Sequence, residues 1–113
     1  MGVVTSSRRD HFNIAHAKSG LLRYFDFILN REDCEHTKPH PEPYLTAIRW
    51  HHLVPEQCIV IEDSERGLAS ARTAGLECLI VLSEWTKDGD FSQACRVLDD
   101  ISYVPEEVLC CLK

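Results

Sequence analysis

Two adjacent carboxylates, Glu62 and Asp63, follow the apolar run Ile59, Val60 and Ile61 and precede Ser64, a residue type that caps helices. An apolar run of this kind suits a strand covered on both faces, so the pair sits at a strand's C-terminal end. In open α/β sheets ligands bind at that edge, and neighbouring carboxylates there suit a hard, oxygen-preferring cation such as Mg²⁺. Two further signals come earlier in the chain. Thr5 places a hydroxyl after the apolar residues GVV, and Lys38 places a cation just before the turn-rich PHPEP. Each has an ordinary reading by itself: a hydroxyl at a strand end caps a helix, a lysine before proline is a solvated loop charge, and an acidic pair belongs to a loop.

The elements that must position these side chains alternate. GVVTSS reads as a strand ending at Thr5, followed by a helix capped by Ser7 or Asp10 that reaches Ser19 and stops at Gly20. Phe25 to Leu29 reads as a second strand. A polar stretch leads to a helix from about Pro41 to Trp50, with Leu45 and Ile48 facing the core. Cys58 to Ile61 is the third strand. In the helix after Ser64, Gly67, Ala71 and Ala74 fall on one face, which lets its backbone lie close to a sheet, and Gly75 supplies a left-handed stop. Glu77 to Leu82 is the fourth strand, SEWTKDGDFSQ a loop, Val97 to Val104 a stretch holding a last short strand, and Pro105 to Leu112 a terminal helix. His52 ends the second helix where sequences similar to this one place a helix-ending glycine, so it is expected in a left-handed conformation. Strands alternating with helices predict an α/β fold with a doubly wound, parallel, Rossmann-like sheet.

A chain of 113 residues with 44% apolar content is expected to form a single domain, residues 1–113, with a modest core. Its formal charge of -6 and the absence of a Lys/Arg-rich run argue against a nucleic-acid partner. No apolar stretch reaches membrane-spanning length and no signal-peptide pattern opens the chain, so no membrane partner and a cytoplasmic location are expected. The six cysteines show no CxxC pairing and read as reduced, small apolar side chains. Cys34, His36 and His40 form a thiolate and imidazole set of zinc-ligand type that lacks a fourth member.

Taken in order, Thr5, the KPHPEPYL stretch and IVIEDSERGLASARTAG resemble motifs two, three and four of the haloacid dehalogenase superfamily. The likeness is to the β-phosphoglucomutase and phosphatase branch, whose motif three reads KPxP and motif four EDS. The resemblance implies an Mg²⁺-dependent phosphatase or phosphomutase acting on a small phosphorylated substrate. It makes Thr5 and Ser6 phosphate-binding residues, Lys38 the cation that neutralises the nucleophile and the transferring group, and Glu62 and Asp63 the residues that orient Mg²⁺. Thr5 and Lys38 are the catalytic residues carried over.

The family's first motif, DxDxT or DxDxV, and its cap domain have no counterpart in this sequence. The literal DxD at Asp88-Gly89-Asp90 follows Trp85-Thr86-Lys87 rather than an apolar strand. The chain is therefore expected to be a partial, truncated core domain of a longer enzyme, inactive alone. A central strand would be missing between the strands ending at Thr5 and Asp63. Those strands could pair with each other, a homodimer could lend a strand, or a complementing chain could fill the gap. The alternative is a non-catalytic regulatory module that binds another chain.

Overall fold

The structure, a computed structural model, describes residues 1–111. Strand β1, Gly2–Val4, pairs in parallel with β2, Phe27–Leu29. Strands β3, Ile59–Glu62, β4, Glu77–Val81, and β5, Arg96–Leu98, form a second parallel sheet in that order. The helices are α1, Arg9–His16, α2, Glu42–Trp50, α3, Glu65–Thr73, and α4, Val104–Cys111. Each parallel pair needs a crossover, which α1 supplies between β1 and β2 and α3 between β3 and β4. The architecture is the predicted parallel α/β fold.

The core follows from the run in β4. Cys78, Leu79 and Ile80 are fully buried because this strand has a partner on each side and α3 packs on it. Val60, Tyr44, Leu68, Ala71, Leu76 and Phe91 close the same cluster. Burial pushes the Cys78 thiol up to about 12, so it acts as an apolar filler. On α3, the Ser64 hydroxyl accepts the Gly67 N–H at 3.0 Å, and Gly75 takes a φ of +86° after the helix. Ser64→Ala is expected to cost about 1 kcal/mol, read as a lower urea midpoint at unchanged slope.

Several boundaries differ from the sequence expectation. Neither Ser7 nor Asp10 caps α1, whose N-cap is Arg8 without a side-chain bond. The Arg9 N–H is instead taken by the Glu32 carboxylate at 2.9 and 3.0 Å, a residue 23 positions away. Asp10 lies inside the first turn rather than at the cap and accepts the His11 N–H at 2.9 Å, so these first-turn donors are met without an N-cap side chain. The helix ends at His16, and Gly20, at φ +72°, lies in the turn beyond it. Strand β2 starts at Phe27 because a 3₁₀ turn at Leu22–Tyr24 takes up the preceding residues. On α2 Leu45 is exposed rather than core-facing, while Tyr44 and Ala47 enter the core and Ile48 packs against it. His52 is left-handed at φ +51°, as expected. The last strand is β5, shorter than Val97 to Val104, and Leu112 lies outside the described residues.

Strands β1 and β3 do not pair with each other. A cleft of about 740 Å³ separates them, walled by β1, β3 and α2. The outcome in which the flanking strands close up is thus not the one adopted. Ile61, in the middle of β3, is left 40% exposed, a large value for a residue of a buried-strand pattern. No helix is long and apolar enough to cross a membrane among the described residues.

Candidate active site

Lys38 joins the two sheets. Its Nζ donates to the Val4 carbonyl at 2.9 Å, at the end of β1, and to Glu62 Oε1, at the end of β3. The ammonium and the Glu62 carboxylate are 13% and 9% exposed, so this is a pair withdrawn from solvent. Such a pair survives only with its remaining hydrogen-bond capacity satisfied. Tyr44 contributes by donating its O–H to the same Glu62 oxygen, and its ring lies 5.1 Å from the Lys38 Nζ. Burial and the Glu62 charge both push the Tyr44 phenol up, so it stays a protonated donor.

The loop that presents Lys38 is anchored from the side. Ser70 of α3 donates its hydroxyl to the His40 carbonyl at 2.7 Å, and Arg66 donates to the Lys38 carbonyl. Gly67 has a further role beyond close helix packing. A Cβ there would fall on the Glu62 carboxyl group, so the first turn of α3 makes room for the ion pair.

Thr5 directly follows Val4, whose carbonyl Lys38 holds, and its N–H bonds the Leu29 carbonyl at 3.0 Å. Its Oγ1 accepts the Ser7 N–H at 3.1 Å, which leaves the hydroxyl hydrogen available to a ligand. Ser6 is exposed beside it. Asp63 is exposed, and among the described residues its carboxylate has no hydrogen-bond partner. Thr5, Lys38, Glu62 and Asp63 thus lie at the C-terminal ends of β1 and β3 and in the loop between them. Sequence reasoning missed Tyr44. Its aromatic character and its position after Pro43 gave no sign of a bond to a residue 18 positions on.

The zinc-type trio does not assemble. Cys34 Sγ lies 3.8 Å from Thr46 Oγ1, and His40 Nδ1 accepts the Glu42 N–H at 3.0 Å. Burial raises the Cys34 thiol, which opposes a thiolate ligand. Among the described residues the group with ligand spacing is Glu35, His36 and Glu42, at the surface. In the Asp88-Gly89-Asp90 loop, Asp90 accepts the Ser92 N–H at 3.0 Å, which lowers its carboxyl in the manner of a turn residue.

The sequence model of the haloacid dehalogenase-like hydrolases matches residues 1–81. The chain belongs to that family. CbbY of Rhodobacter capsulatus is 41% identical to it over 78 residues, which cover 69% of this chain and 34% of that protein. Validoxylamine A 7'-phosphate phosphatase of Streptomyces hygroscopicus subsp. limoneus is 38% identical over 79 residues, covering 70% of this chain and 37% of the relative. A solved haloacid dehalogenase-like hydrolase from Bacteroides fragilis superimposes with a TM-score of 0.83 at 27% identity, over 91% of this chain and 50% of the other. The chain thus spans about a third of the length of the curated relatives it matches.

Proposed function

We propose that this haloacid dehalogenase-like chain is the phosphate-binding, charge-neutralising part of an Mg²⁺-dependent phosphatase for a small phosphorylated substrate. The observation that carries the reading is Lys38, which holds a cation between the ends of β1 and β3, on the carbonyl of Val4, the residue before Thr5. Phosphoryl transfer asks a protein mainly for positioning and charge neutralisation, and this arrangement offers both. Thr5 donates to a phosphoryl oxygen, with Ser6 beside it, and Lys38 offsets the negative charge that gathers during transfer. Asp63 fits Mg²⁺ because its carboxylate is exposed and unengaged, whereas Glu62 is committed to Lys38 and Tyr44 and positions the ammonium. Bound Mg²⁺ would supply further charge neutralisation on the phosphoryl oxygens. The phosphatase named among the relatives supports phosphoryl-transfer chemistry of the phosphatase kind.

In this reading the nucleophilic carboxylate comes from an extended segment seated in the cleft between β1 and β3 and supplied by a complementing chain, whereas a second copy would fill the cleft with a strand but carries no DxDx[TV] segment. The open edges of β1 and β3 favour such an occupant, since each presents backbone groups to the cleft. Native mass measurement after mild extraction is expected to show a complex or a dimer. Monomer alone would remove this part of the reading and leave the chain without a completing strand.

The phosphate site is tested on the chain as it is. Saturating Mg²⁺ with inorganic phosphate is expected to raise its melting temperature, because a ligand that binds the folded state alone stabilises it by about 2.7 kcal/mol at 100-fold its dissociation constant. Thr5→Val and Asp63→Asn are expected to abolish most of that rise. Equal protection of both variants would sink the proposal. With an aryl phosphate the chain alone is expected to give no turnover, and turnover that persisted in Lys38→Met and Asp63→Asn would assign the activity elsewhere.

A further inference from the structure

At the far side of the second sheet two thiols from different elements meet. Cys95 and Cys111 lie 16 positions apart in sequence, and their Sγ atoms are 2.6 Å apart. Cys95 is the residue just before β5, fixed by its N–H bond to the Cys78 carbonyl at 2.8 Å. Cys111 stands in the last turn of α4. The next residue of the strand repeats the approach: Arg96 Nε lies 3.4 Å from the Glu107 carboxylate. Glu107 and Cys111 are four residues apart and so share one face of α4, which is held against the β5 strand at two points. The adjacent Cys110 is exposed and Cys78 is fully buried, so proximity selects one pair from the six cysteines.

We infer that Cys95 and Cys111 form an intramolecular disulfide when a hydroperoxide is present, a redox clasp that ties α4 to β5. One sulfur, as thiolate, attacks a peroxide oxygen; the O–O bond breaks and a sulfenic acid forms. The second sulfur then displaces hydroxide from the first, and the S–S bond closes. Two thiols lose two electrons and two protons, and hydrogen peroxide becomes two waters. The clasp also fixes the end of the connection between β4 and β5. Gly89 of that connection lies against the Glu65 side chain at the start of α3, two residues from Asp63. Oxidation would therefore restrain a loop that borders the candidate active site.

The experiment treats the full chain with equimolar hydrogen peroxide, blocks remaining thiols with N-ethylmaleimide under denaturing conditions, and measures intact mass and tryptic peptides. The expected product is a monomer with two of the six cysteines unlabelled. Peptides 88–96 and 97–113 should be joined by a bond that dithiothreitol cleaves. The bond is expected to persist in Cys110→Ser and to vanish in Cys111→Ser. Full labelling of all six thiols overturns the inference. So does a link that moves to Cys110, or one that forms between molecules. Because the unmodified chain is mapped directly, misfolding of a variant would not decide the result.

Discussion

Lys38→Met is expected to lower the stability of the folded chain by about 3 kcal/mol, a large share of the roughly 5 to 15 kcal/mol typical of a domain. The loss arises on the partner side. Glu62 is 9% exposed, and without the ammonium its charge keeps only the Tyr44 O–H. Removing one member of a buried pair leaves an uncompensated charge, which costs more than the pair contributed. Lys87→Met serves as a control. Lys87 pairs with Glu84 where both side chains are more than half exposed, at 54% and 87%, and the change should stay within about 0.5 kcal/mol. Adding Glu62→Gln to Lys38→Met should recover most of the loss, because the carboxamide carries no charge and still accepts from Tyr44. Urea denaturation of the three proteins decides the matter. Equal midpoints for the single and double variants would show that Lys38 and Glu62 are not energetically paired.

Gly67→Ala should destabilise by about 2 kcal/mol, against the usual sign. In a helix interior, glycine to alanine ordinarily stabilises by about 0.5 to 1 kcal/mol. Here the added methyl would occupy the place of the Glu62 carboxyl group. A flexible carboxylate could step aside elsewhere, but this one is held by Lys38 and Tyr44 and has little solvent to move into. Displacing it breaks both bonds, which outweighs the helix gain. The same change is expected to be nearly neutral or stabilising once Glu62 is alanine, so a double-mutant cycle in urea isolates the conflict. A stabilised single variant would mean that the carboxylate relocates without loss.

What could be read along the chain was whatever depends on near neighbours. Ser64 and Gly75 bracket α3 through a cap and a left-handed turn that span a few residues, and both appear where expected. The apolar run before Glu62 marks a strand and β3 follows, though the burial on both faces that such a run predicts is not met at Ile61, which stands exposed at the cleft. His52 adopts its positive φ for an equally local reason, the helix end at that position. Leu45 and α1 went otherwise. Whether Leu45 or Tyr44 faces inward depends on which side of α2 meets the sheet, and α1 begins where Glu32, far along the chain, accepts its first N–H.

The sequence by itself determined a parallel α/β layout and placed Thr5, Lys38, Glu62 and Asp63 at strand ends or in the connecting loop, since periodicity, capping and turn chemistry act over short separations. Tertiary structure alone decided that Lys38 takes Glu62 and the Val4 carbonyl as partners, that Tyr44 completes the cluster and that Gly67 gives it space. It also decided that β1 and β3 stand apart across a cleft. Those choices depend on the relative placement of elements 18 to 34 residues apart, where burial makes a charge costly unless a specific partner reaches it.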